Sequence, residues 1–337
     1  MIIIPIMNSY KKIVVTGSAG FIGATFCYEA LKKGYKIHGV DNYSNSSSVT
    51  TEILKTTFPD FSFSELDVSC ELRKLTREIE TFNPNLIVHL ASLNSVTISE
   101  DKPDLYWKNN LNSTENILKV MEKITANKII FSSSASVYGS FNKQPVNEES
   151  LLEPLSVYGK TKLACENLIK DNCNDGNLDA VIFRYFNLSG SHKEKLFFNT
   201  AKTSENLMSK IIEVAKGNLE EITIYGKDHQ TIDGTASRDY IHIDDLISAH
   251  FSMIKVLNKI SGADVYNLGT GKETTVLDLL ETFKEVNKIP IKYIYGKSRS
   301  EDISRSFTNP LKIENISGWK TKKNLKDICY DSWNAIK

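Results

Sequence analysis

Short apolar runs alternate with longer amphipathic stretches over the first half of the chain. The apolar runs are KIVVTG at 12–17, KIHGVDN at 36–42, NLIVHLA at 85–91, KIIFSSS at 128–134 and AVIFRYFN at 180–187. Runs of this kind predict strands that are buried on both faces of a sheet. The stretches between them, such as 21–33 and 109–123, predict helices. This alternation of strand and helix predicts an α/β fold with a doubly wound parallel sheet.

The regular alternation weakens after Asn187. Residues from about 189 to 234 are largely polar, and helical and extended patterns are mixed beyond them. We therefore predict a Rossmann-type domain over residues 11–187 and a smaller, mixed α/β lobe over residues 188–337. Some segments of the second part are expected to return to the first.

Composition and charge narrow the range of partners. Lys and Arg number 41, Asp and Glu number 41, and the formal net charge is zero. Without a net field, we expect neither nucleic acid nor a membrane as a partner. The five cysteines are scattered and form no C-x-x-C pair, which favours a reduced, cytoplasmic protein over a disulfide framework or a metal site. The apolar start MIIIPIM is too short to span a bilayer and lacks the pattern of a signal peptide.

A glycine-rich segment, VVTGSAGFIG, places Gly17, Gly20 and Gly23 after the first strand and at the start of a helix. Glycines let the backbone approach a pyrophosphate closely, with the helix N-terminus aimed at its charge. A tight strand-to-helix turn would show the same pattern. Asp41, eighteen residues after Gly23, ends the second strand, where a carboxylate can bind the adenosine ribose and repel a 2′-phosphate. The sequence therefore predicts a dinucleotide site that favours NAD over NADP.

Further cofactor residues are predicted from their place in this loop or at the same carboxyl edge of the sheet. They are Phe21, Ile22, Asn42, Asp67, Val68, Leu90 and Ala91. Asp67 follows the strand-like run FSFSEL, where it could meet an adenine amino group. A lone aspartate at such a place is also commonly a solvated loop acid.

The segment VYGKTKLACE holds Tyr158 and Lys162, which share one face if the segment is helical. Free tyrosine has a pKa of about 10 and is a poor base near neutral pH. A cationic Lys162 close by, together with the positive charge of a nicotinamide ring, would lower the pKa of Tyr158, and Lys162 could also hold the cofactor ribose. Two solvent-facing helical residues would show the same spacing.

The segment FSSSASVYG follows a predicted central strand and supplies a third candidate. A hydroxyl at the end of that strand, best Ser134, would project into the cleft and share a hydrogen bond between a substrate hydroxyl and Tyr158. Ser132 and Ser133 are expected to satisfy their own backbone instead.

These motifs occur together and in a distinctive order. T-G-x-x-G-x-x-G, S-S-S-A-S-V-Y-G, Y-G-K-T-K and R-Y-F-N are followed by DGTASRDYIHIDDL, YNLGTGKETTVLDLLETF and GWKTKKNLKDICYDSW. On these residues the chain resembles the extended short-chain dehydrogenase/reductase family, from about Lys11 to Trp333. Within that family it is similar to the UDP-glucose 4-epimerase and UDP-N-acetylglucosamine 4-epimerase group.

The resemblance implies an NAD-dependent UDP-hexose 4-epimerase. Tyr158 would take the proton of the sugar 4-hydroxyl while C4 passes a hydride to NAD⁺. The 4-keto sugar would then turn over in the site and take the hydride back on its other face. The resemblance also implies that NAD stays bound between cycles, and that the protein is a homodimer through helices near 109–123 and 158–170.

The resemblance further implies roles for single residues. Asn109 and Phe186 are expected to lie along the cofactor, and Asn187, Asn206 and Leu207 are expected to contact the UDP-sugar. Arg238 and Arg299 are expected to bind its diphosphate, and Asp302 is expected to contact the uridine ribose. Arginine suits the diphosphate because its guanidinium can bind two oxygens at once.

The chain departs from the galactose-type pattern of this group at three places. Asn94 stands where the group has a lysine, and HKEKLFFNTAKTSENLM at 192–208 replaces the usual residues before the Asn-Leu pair, which makes substrate contacts there doubtful. Ser306 stands where a tyrosine narrows the sugar pocket in glucose-restricted members. A small residue leaves room for an N-acetyl group. We therefore predict UDP-GlcNAc and UDP-GalNAc as substrates, with UDP-Glc and UDP-Gal as further candidates.

Rival functions on the same fold remain open. Another NAD-dependent nucleotide-sugar epimerase, or a 4,6-dehydratase, is the nearest alternative, although dehydratases need an Asp-Glu pair where this chain has Ala135 and Ser136. A non-catalytic nucleotide-sensing scaffold commonly lacks the tyrosine or the lysine. This chain retains Ser134, Tyr158 and Lys162, which favours an enzyme.

Overall fold

A computed structural model of the chain describes residues 10–140, 142–195, 197, 206–298 and 303–337. The strands are β1 (Lys12–Thr16), β2 (Lys36–Asp41), β3 (Ser62–Glu65), β4 (Leu86–His89), β5 (Lys128–Ser134), β6 (Asp179–Tyr185), β7 (Asn187–Ser189), β8 (Ile222–Tyr225), β9 (Ser237–Arg238), β10 (Tyr240–His242), β11 (Ala263–Leu268), β12 (Thr274–Thr275), β13 (Tyr293–Gly296) and β14 (Arg305–Ser306).

The helices are α1 (Phe21–Lys32), α2 (Ser48–Thr57), α3 (Leu72–Phe82), α4 (Val96–Asp101), α5 (Pro103–Tyr106), α6 (Asn112–Met121), α7 (Val157–Asn174), α8 (Leu207–Ala215), α9 (Ile243–Val256), α10 (Val276–Asn287), α11 (Leu311–Ser317) and α12 (Leu325–Asn334). One π-helical turn, Trp107–Leu111, joins α5 to α6. Across the described ranges, no helix is both long and apolar enough to cross a membrane.

The main sheet has seven parallel strands in the order β3-β2-β1-β4-β5-β6-β11, and it confirms the predicted Rossmann-type fold. Its inner strands are almost wholly buried, because helices cover both faces. Two large apolar clusters result, one on each side of the sheet.

The seventh strand, β11, comes from the second half of the chain and pairs with β6 along its whole length. From the same half, α9 packs against α1. The sequence did not predict β11 as a strand. Its polar residues Asp264 and Asn267 break the apolar pattern, and both make specific bonds: Asp264 accepts from the Tyr266 hydroxyl, and Asn267 accepts from the Tyr138 hydroxyl.

The strand order creates a crevice between the carboxyl ends of β1 and β4. From β1 the chain passes through α1 to β2 on one side, whereas β4 pairs with β1 on the other side. Successive connections therefore run in opposite directions from this point. In open α/β sheets, ligands bind in the crevice at the carboxyl ends of the strands where the strand order reverses in this way. The glycine loop follows β1 at this crevice.

The second lobe closes the crevice from above with short strands. β9 lies between β12 and β14, and in the β9–β14 pair Arg238 is opposite Ser306. A separate core of α8, α10, α12, β8 and β13 supports these strands and includes Ile224, Phe283 and Ile328. The lobe thus presents side chains of β9 and β14 toward the main sheet.

Candidate active site

A cleft of about 730 Å³ lies at the carboxyl ends of the main sheet, beneath the second lobe. Most of the residues that the sequence predicts for the site line it, and their roles there stay predictions. They are Gly17, Gly20, Phe21, Ile22, Gly23, Asp41, Asn42, Asp67, Val68, Leu90, Ala91, Asn109, Ser134, Tyr158, Lys162, Phe186, Asn187, Asn206, Arg238 and Ser306. Arg299, Asp302 and part of the altered substrate segment (196 and 198–205) lie outside the described residues.

The glycine loop is packed so closely that side chains would not fit at two positions. Gly17 has a φ of +69°, and a Cβ there would lie 2.8 Å from the backbone nitrogen of Ala91. A Cβ on Gly23 would lie 2.1 Å from the carbonyl oxygen of Gly17. The first turn of α1 carries no acidic residue that would repel an anion. The loop and the helix therefore fit the pyrophosphate of a dinucleotide.

Asp41 is held at the mouth of this loop. Its Oδ2 accepts from the backbone nitrogen of Ala19 at 3.0 Å, and its Oδ1 accepts from the nitrogen of Tyr43 at 2.8 Å and the hydroxyl of Ser46 at 2.9 Å. A carboxylate offers about four acceptor positions, and these bonds use three of them. The remaining capacity fits a ribose hydroxyl, as predicted for the adenosine of NAD.

Asp67 stabilises its own turn as well as lining the cleft. Its Oδ1 accepts from the amide and the hydroxyl of Ser69, at 2.8 and 2.6 Å. Burial raises the pKa of Asp67, but hydrogen bonds from Ser69, Asn42 and Cys70 together outweigh that effect and leave the pKa below its usual value. Asp67 is therefore a fixed, ionised acceptor beside the predicted adenine position.

The predicted catalytic helix begins against the end of β5. Ser156 caps α7 by accepting from the nitrogen of Gly159 at 3.0 Å. A Cβ on Gly159 would lie 2.5 Å from the carbonyl oxygen of Ser136, so glycine allows the first turn of α7 to touch the turn that follows β5. This contact brings Tyr158 beside Ser134, whose hydroxyl lowers the pKa of Tyr158 and donates to the hydroxyl of Ser136 at 3.1 Å.

Lys162 is buried below Tyr158, on the same face of α7. Only 3% of its surface is exposed, and its Nζ donates to the carbonyl oxygen of Ser132 at 2.8 Å. The Nζ is 5.9 Å from the centroid of the Tyr158 ring and 5.0 Å from that of Phe131. Burial lowers the pKa of Lys162 to about 8. The pair therefore has the shared face that the sequence predicted.

The expected lowering of the Tyr158 pKa is wrong for the protein's own groups. Burial raises the pKa of Tyr158 to about 12, and the bond from Ser134 offsets only part of that rise. Lys162 directs its ammonium to the carbonyl of Ser132 rather than to the phenol. Of the two causes that the sequence suggested, the one left to lower this pKa is the nicotinamide charge.

The prediction for the other two serines of β5 is also wrong. The hydroxyl of Ser132 donates to the carbonyl of His89 at 3.3 Å, and that of Ser133 donates to Glu166 Oε1 at 2.5 Å. Neither bond is to its own backbone. They tie β5 to β4 and to α7, so the serine run is part of the frame of the site.

Asn110 is a site residue that the sequence did not reveal. Its Oδ1 accepts from the nitrogen of Leu93 at 2.9 Å, and its Nδ2 donates to Leu93 O at 3.1 Å and to the hydroxyl of Thr161 at 3.0 Å. These bonds fix the loop after β4 against α7. The π-helical turn lets Asn109 line the cleft while Asn110 is buried, and a π-turn has no periodic pattern to predict it.

The sugar end of the cleft is formed by the second lobe. Arg238 donates from Nη1 to the carbonyls of Ser237 and Ile303, both at 2.7 Å, and these bonds fix the orientation of its guanidinium. Ser306 lies beside it on β14 and lines the cleft. Asn94, the departure in the loop after β4, is exposed and also lines the cleft.

Leu207 is a predicted substrate residue that does not line the described cleft. It is the first residue of α8, and it packs on the apolar core of the second lobe. Asn206, by contrast, lines the cleft and caps α8 by accepting from the nitrogen of Ser209 at 2.8 Å. Adjacent residues at a helix start point in different directions, so one member of the Asn-Leu pair faces the core.

Comparison with known proteins gives matches along nearly the whole chain. The model of the NAD dependent epimerase/dehydratase family matches residues 13–269. UDP-glucose 4-epimerase of Bacillus subtilis is 38% identical over 330 residues, which cover 95% of each protein. The crystal structure of a UDP-glucose-4-epimerase from Stenotrophomonas maltophila, with bound NAD and formylated UDP-arabinopyranose, is similar with a TM-score of 0.92 at 32% identity, over 97% of this chain and 98% of that one. The UDP-Glc/GlcNAc 4-epimerase of Campylobacter jejuni is similar with a TM-score of 0.84 at 31% identity, over 96% of this chain and 98% of that one.

Proposed function

The chain belongs to the NAD dependent epimerase/dehydratase family and is an NAD-dependent UDP-hexose 4-epimerase, and from that premise we propose that it accepts UDP-GlcNAc and UDP-GalNAc as well as UDP-Glc and UDP-Gal. The observation that carries the proposal is the small side chain of Ser306 on the wall of the cleft, beside Arg238. A similar structure, 31% identical, is named as a UDP-Glc/GlcNAc 4-epimerase, which supports the wider substrate range.

Tyr158 is the proposed acid and base. Its hydroxyl lies at the cleft beside Ser134, where it would take the proton of the sugar 4-hydroxyl when C4 is oxidised and return it when C4 is reduced. Ser134 would orient that 4-hydroxyl, and the positive charge of the nicotinamide would favour the phenolate. NAD, when bound, supplies the acceptor and donor of hydride at C4.

The cofactor residues proposed are those whose geometry fits a dinucleotide. Gly17 and Gly23 form the cradle for the pyrophosphate, and Asp41 accepts from the adenosine ribose. Lys162 would hold the nicotinamide ribose, and Arg238 would bind the diphosphate of the UDP-sugar. Each group lies on the wall of the same cleft.

The substrate range is tested by incubating the purified protein separately with UDP-Gal, UDP-GalNAc and UDP-GalA and identifying the epimers by chromatography. We expect epimers from UDP-Gal and UDP-GalNAc. Conversion of UDP-Gal alone would refute the N-acetylhexosamine proposal. A stable 4-keto-6-deoxy product would contradict the assignment of 4-epimerase activity.

Replacing Ser306 by tyrosine is expected to narrow the substrate range. The larger ring would occupy the space of an N-acetyl group, so kcat/KM for UDP-GalNAc should fall about 10- to 100-fold relative to kcat/KM for UDP-Gal. Ser306→Ala is the matched control, because it removes the hydroxyl and adds no volume. Unchanged turnover of N-acetylhexosamines by Ser306→Tyr would refute the role of this residue.

We further propose that the protein is a cytoplasmic homodimer. The proposed contact involves helices α6 and α7, next to which the large apolar side chains of Leu105 and Trp107 are exposed. Light scattering should give twice the mass of one chain at micromolar concentration. A monomer at that concentration would contradict this assembly.

A further inference from the structure

Three consecutive serines of β5 each contact a different turn of α7. The Ser132 carbonyl accepts from Lys162, the Ser133 hydroxyl donates to Glu166, and the Ser134 hydroxyl lies beside Tyr158. On α7 these partners stand at intervals of four residues and share one face. Glu166 is the member of this face to which the proposed reaction gives no role.

Glu166 is fully buried and forms a two-pronged ion pair with Arg184 of β6. Arg184 donates from Nε to Oε1 at 2.9 Å and from Nη2 to Oε2 at 2.7 Å. Neither side chain is more than 1% exposed. Lys170, one turn further along α7, reaches the rim of the pair at 3.3 Å.

Arg184 connects this pair to the turn after β5 and to the segment that precedes α7. Its Nη1 donates to the Tyr138 hydroxyl at 2.9 Å and to the carbonyl of Glu148 at 3.3 Å. The Tyr138 hydroxyl in turn donates to Asn267 of β11 at 2.6 Å. The pair is therefore the centre of a buried network that joins α7 to three strands of the main sheet.

Stability alone explains this network poorly. A buried ion pair loses hydration on folding, and replacing such a pair by apolar residues is often neutral or stabilising. Its strict geometry instead sets the position of one element on another. Glu166, the member of the network on α7, lies one helical turn from Lys162.

We propose that Glu166 and Arg184 are positioning residues for the reaction, which hold α7 at a fixed depth against β5 so that Tyr158 and Lys162 meet Ser134 and Ser132. Glu166 also stands one turn from Lys162 on the same face of α7, where its negative charge favours the charged ammonium. This inference rests on the proposed roles of Tyr158 and Lys162, and it does not depend on which UDP-hexose is the substrate.

The charges around Lys162 determine what should happen when either partner is removed. The groups that face it are Tyr158, Cys165 and Glu166 on α7 and His89 on β4. Burial lowers the pKa of Lys162, and Cys165 and Glu166 act in the opposite direction. Burial and the nearby Lys162 lower the pKa of His89 to about 3, so that ring is neutral. Glu166 is thus the fixed negative charge that favours a protonated Lys162.

The test compares the pH profiles of kcat for Glu166→Gln, Arg184→Gln and the double variant. We expect activity to be lost on the alkaline side of the profile as Lys162 loses its proton. Glu166→Gln leaves the Arg184 cation unbalanced, which disfavours the Lys162 cation, so this alkaline limb should move to lower pH by about one unit. The value of kcat at neutral pH should fall about tenfold. Arg184→Gln leaves the Glu166 anion and should move the same limb to higher pH. The double variant removes both charges and should return the limb toward its original position. The KM for the sugar should change less than about twofold in all three.

A matched control uses the ion pair between Lys128 and Asp179 at the opposite ends of β5 and β6. Asp179→Asn removes a charge from the same two strands, and it should leave the alkaline limb in place even if it lowers the melting temperature. All proteins are assayed as loaded enzymes with whichever UDP-hexose the wild type converts.

Limbs that move in opposite directions in the two single variants support the inference. An unmoved alkaline limb in both single variants, with losses of kcat no larger than that of the control, would overturn it and leave the pair with a purely structural role. If Arg184→Gln does not fold, the comparison of Glu166→Gln with the double variant decides: restoration of the limb supports the inference, and an identical shift overturns it. A wild type that is inactive on N-acetylated sugars would refute only the substrate proposal.

Discussion

Replacing Tyr158 by phenylalanine is expected to lower kcat for 4-epimerisation by about 10²- to 10⁴-fold, the usual contribution of a positioned acid or base. The phenol hydroxyl is the group that would exchange a proton with the sugar, and Tyr158 lies at the cleft beside Ser134. The ring itself remains, so the buried packing of Tyr158 is preserved. The measurement is the steady-state rate of conversion of UDP-Gal, with bound NAD quantified after denaturation of the protein.

Tyr266→Phe provides the control for this change. Tyr266 is buried, its hydroxyl donates to Asp264 at 2.5 Å, and it lies on β11 away from the cleft. The control loses one buried hydrogen bond and should keep kcat within about threefold of the wild type. A Tyr158→Phe variant that behaves like the control would remove Tyr158 from the mechanism.

Replacing Gly17 by alanine is expected to abolish stable retention of NAD. The positive φ of Gly17 disfavours any L side chain by about 1–2 kcal/mol. The new Cβ would also overlap the backbone of Ala91 at 2.8 Å, so the loop or the end of β4 must move where the pyrophosphate binds. We expect the affinity for NAD to fall at least about 100-fold, measured by titration of the cofactor-free protein.

Gly34→Ala separates the backbone effect from the effect of the overlap. Gly34 has a φ of +81°, and a Cβ there would meet no atom within 4 Å. The control therefore carries the same kind of strain without the collision. Equal affinity for NAD in the two variants would show that the close packing at Gly17 is not what holds the cofactor.

Five strands of the central sheet were predictable because they are buried on both faces. Such strands read as continuous apolar runs, and the five predicted runs end within two residues of β1, β2, β4, β5 and β6. β11 lies at the edge of the sheet and binds other elements through polar side chains, so its sequence has no such run. The pattern of apolar residues indicates which strands are buried. It does not reveal a strand such as β11, whose polar side chains form hydrogen bonds with other elements.

The candidate site was predictable where neighbours in sequence act together. The glycine loop and the Tyr158–Lys162 spacing belong to this class, since each is contained within one turn or one helix. Glu166 and Asn110 were missed because their partners, such as Arg184 and Leu93, come from distant segments. The raised pKa of Tyr158 was missed for a related reason, because the extent of its burial depends on the whole fold.

The pairing of β11 with β6 makes the two parts of the chain interdependent for solubility and folding. Without β11, the backbone groups of β6 would form an open sheet edge next to the wholly buried side chains of Val181 and Phe183. An exposed apolar edge of that kind is a template for aggregation. A fragment that stops after β7 should therefore aggregate, so recombination with related chains should exchange β11 together with the main sheet.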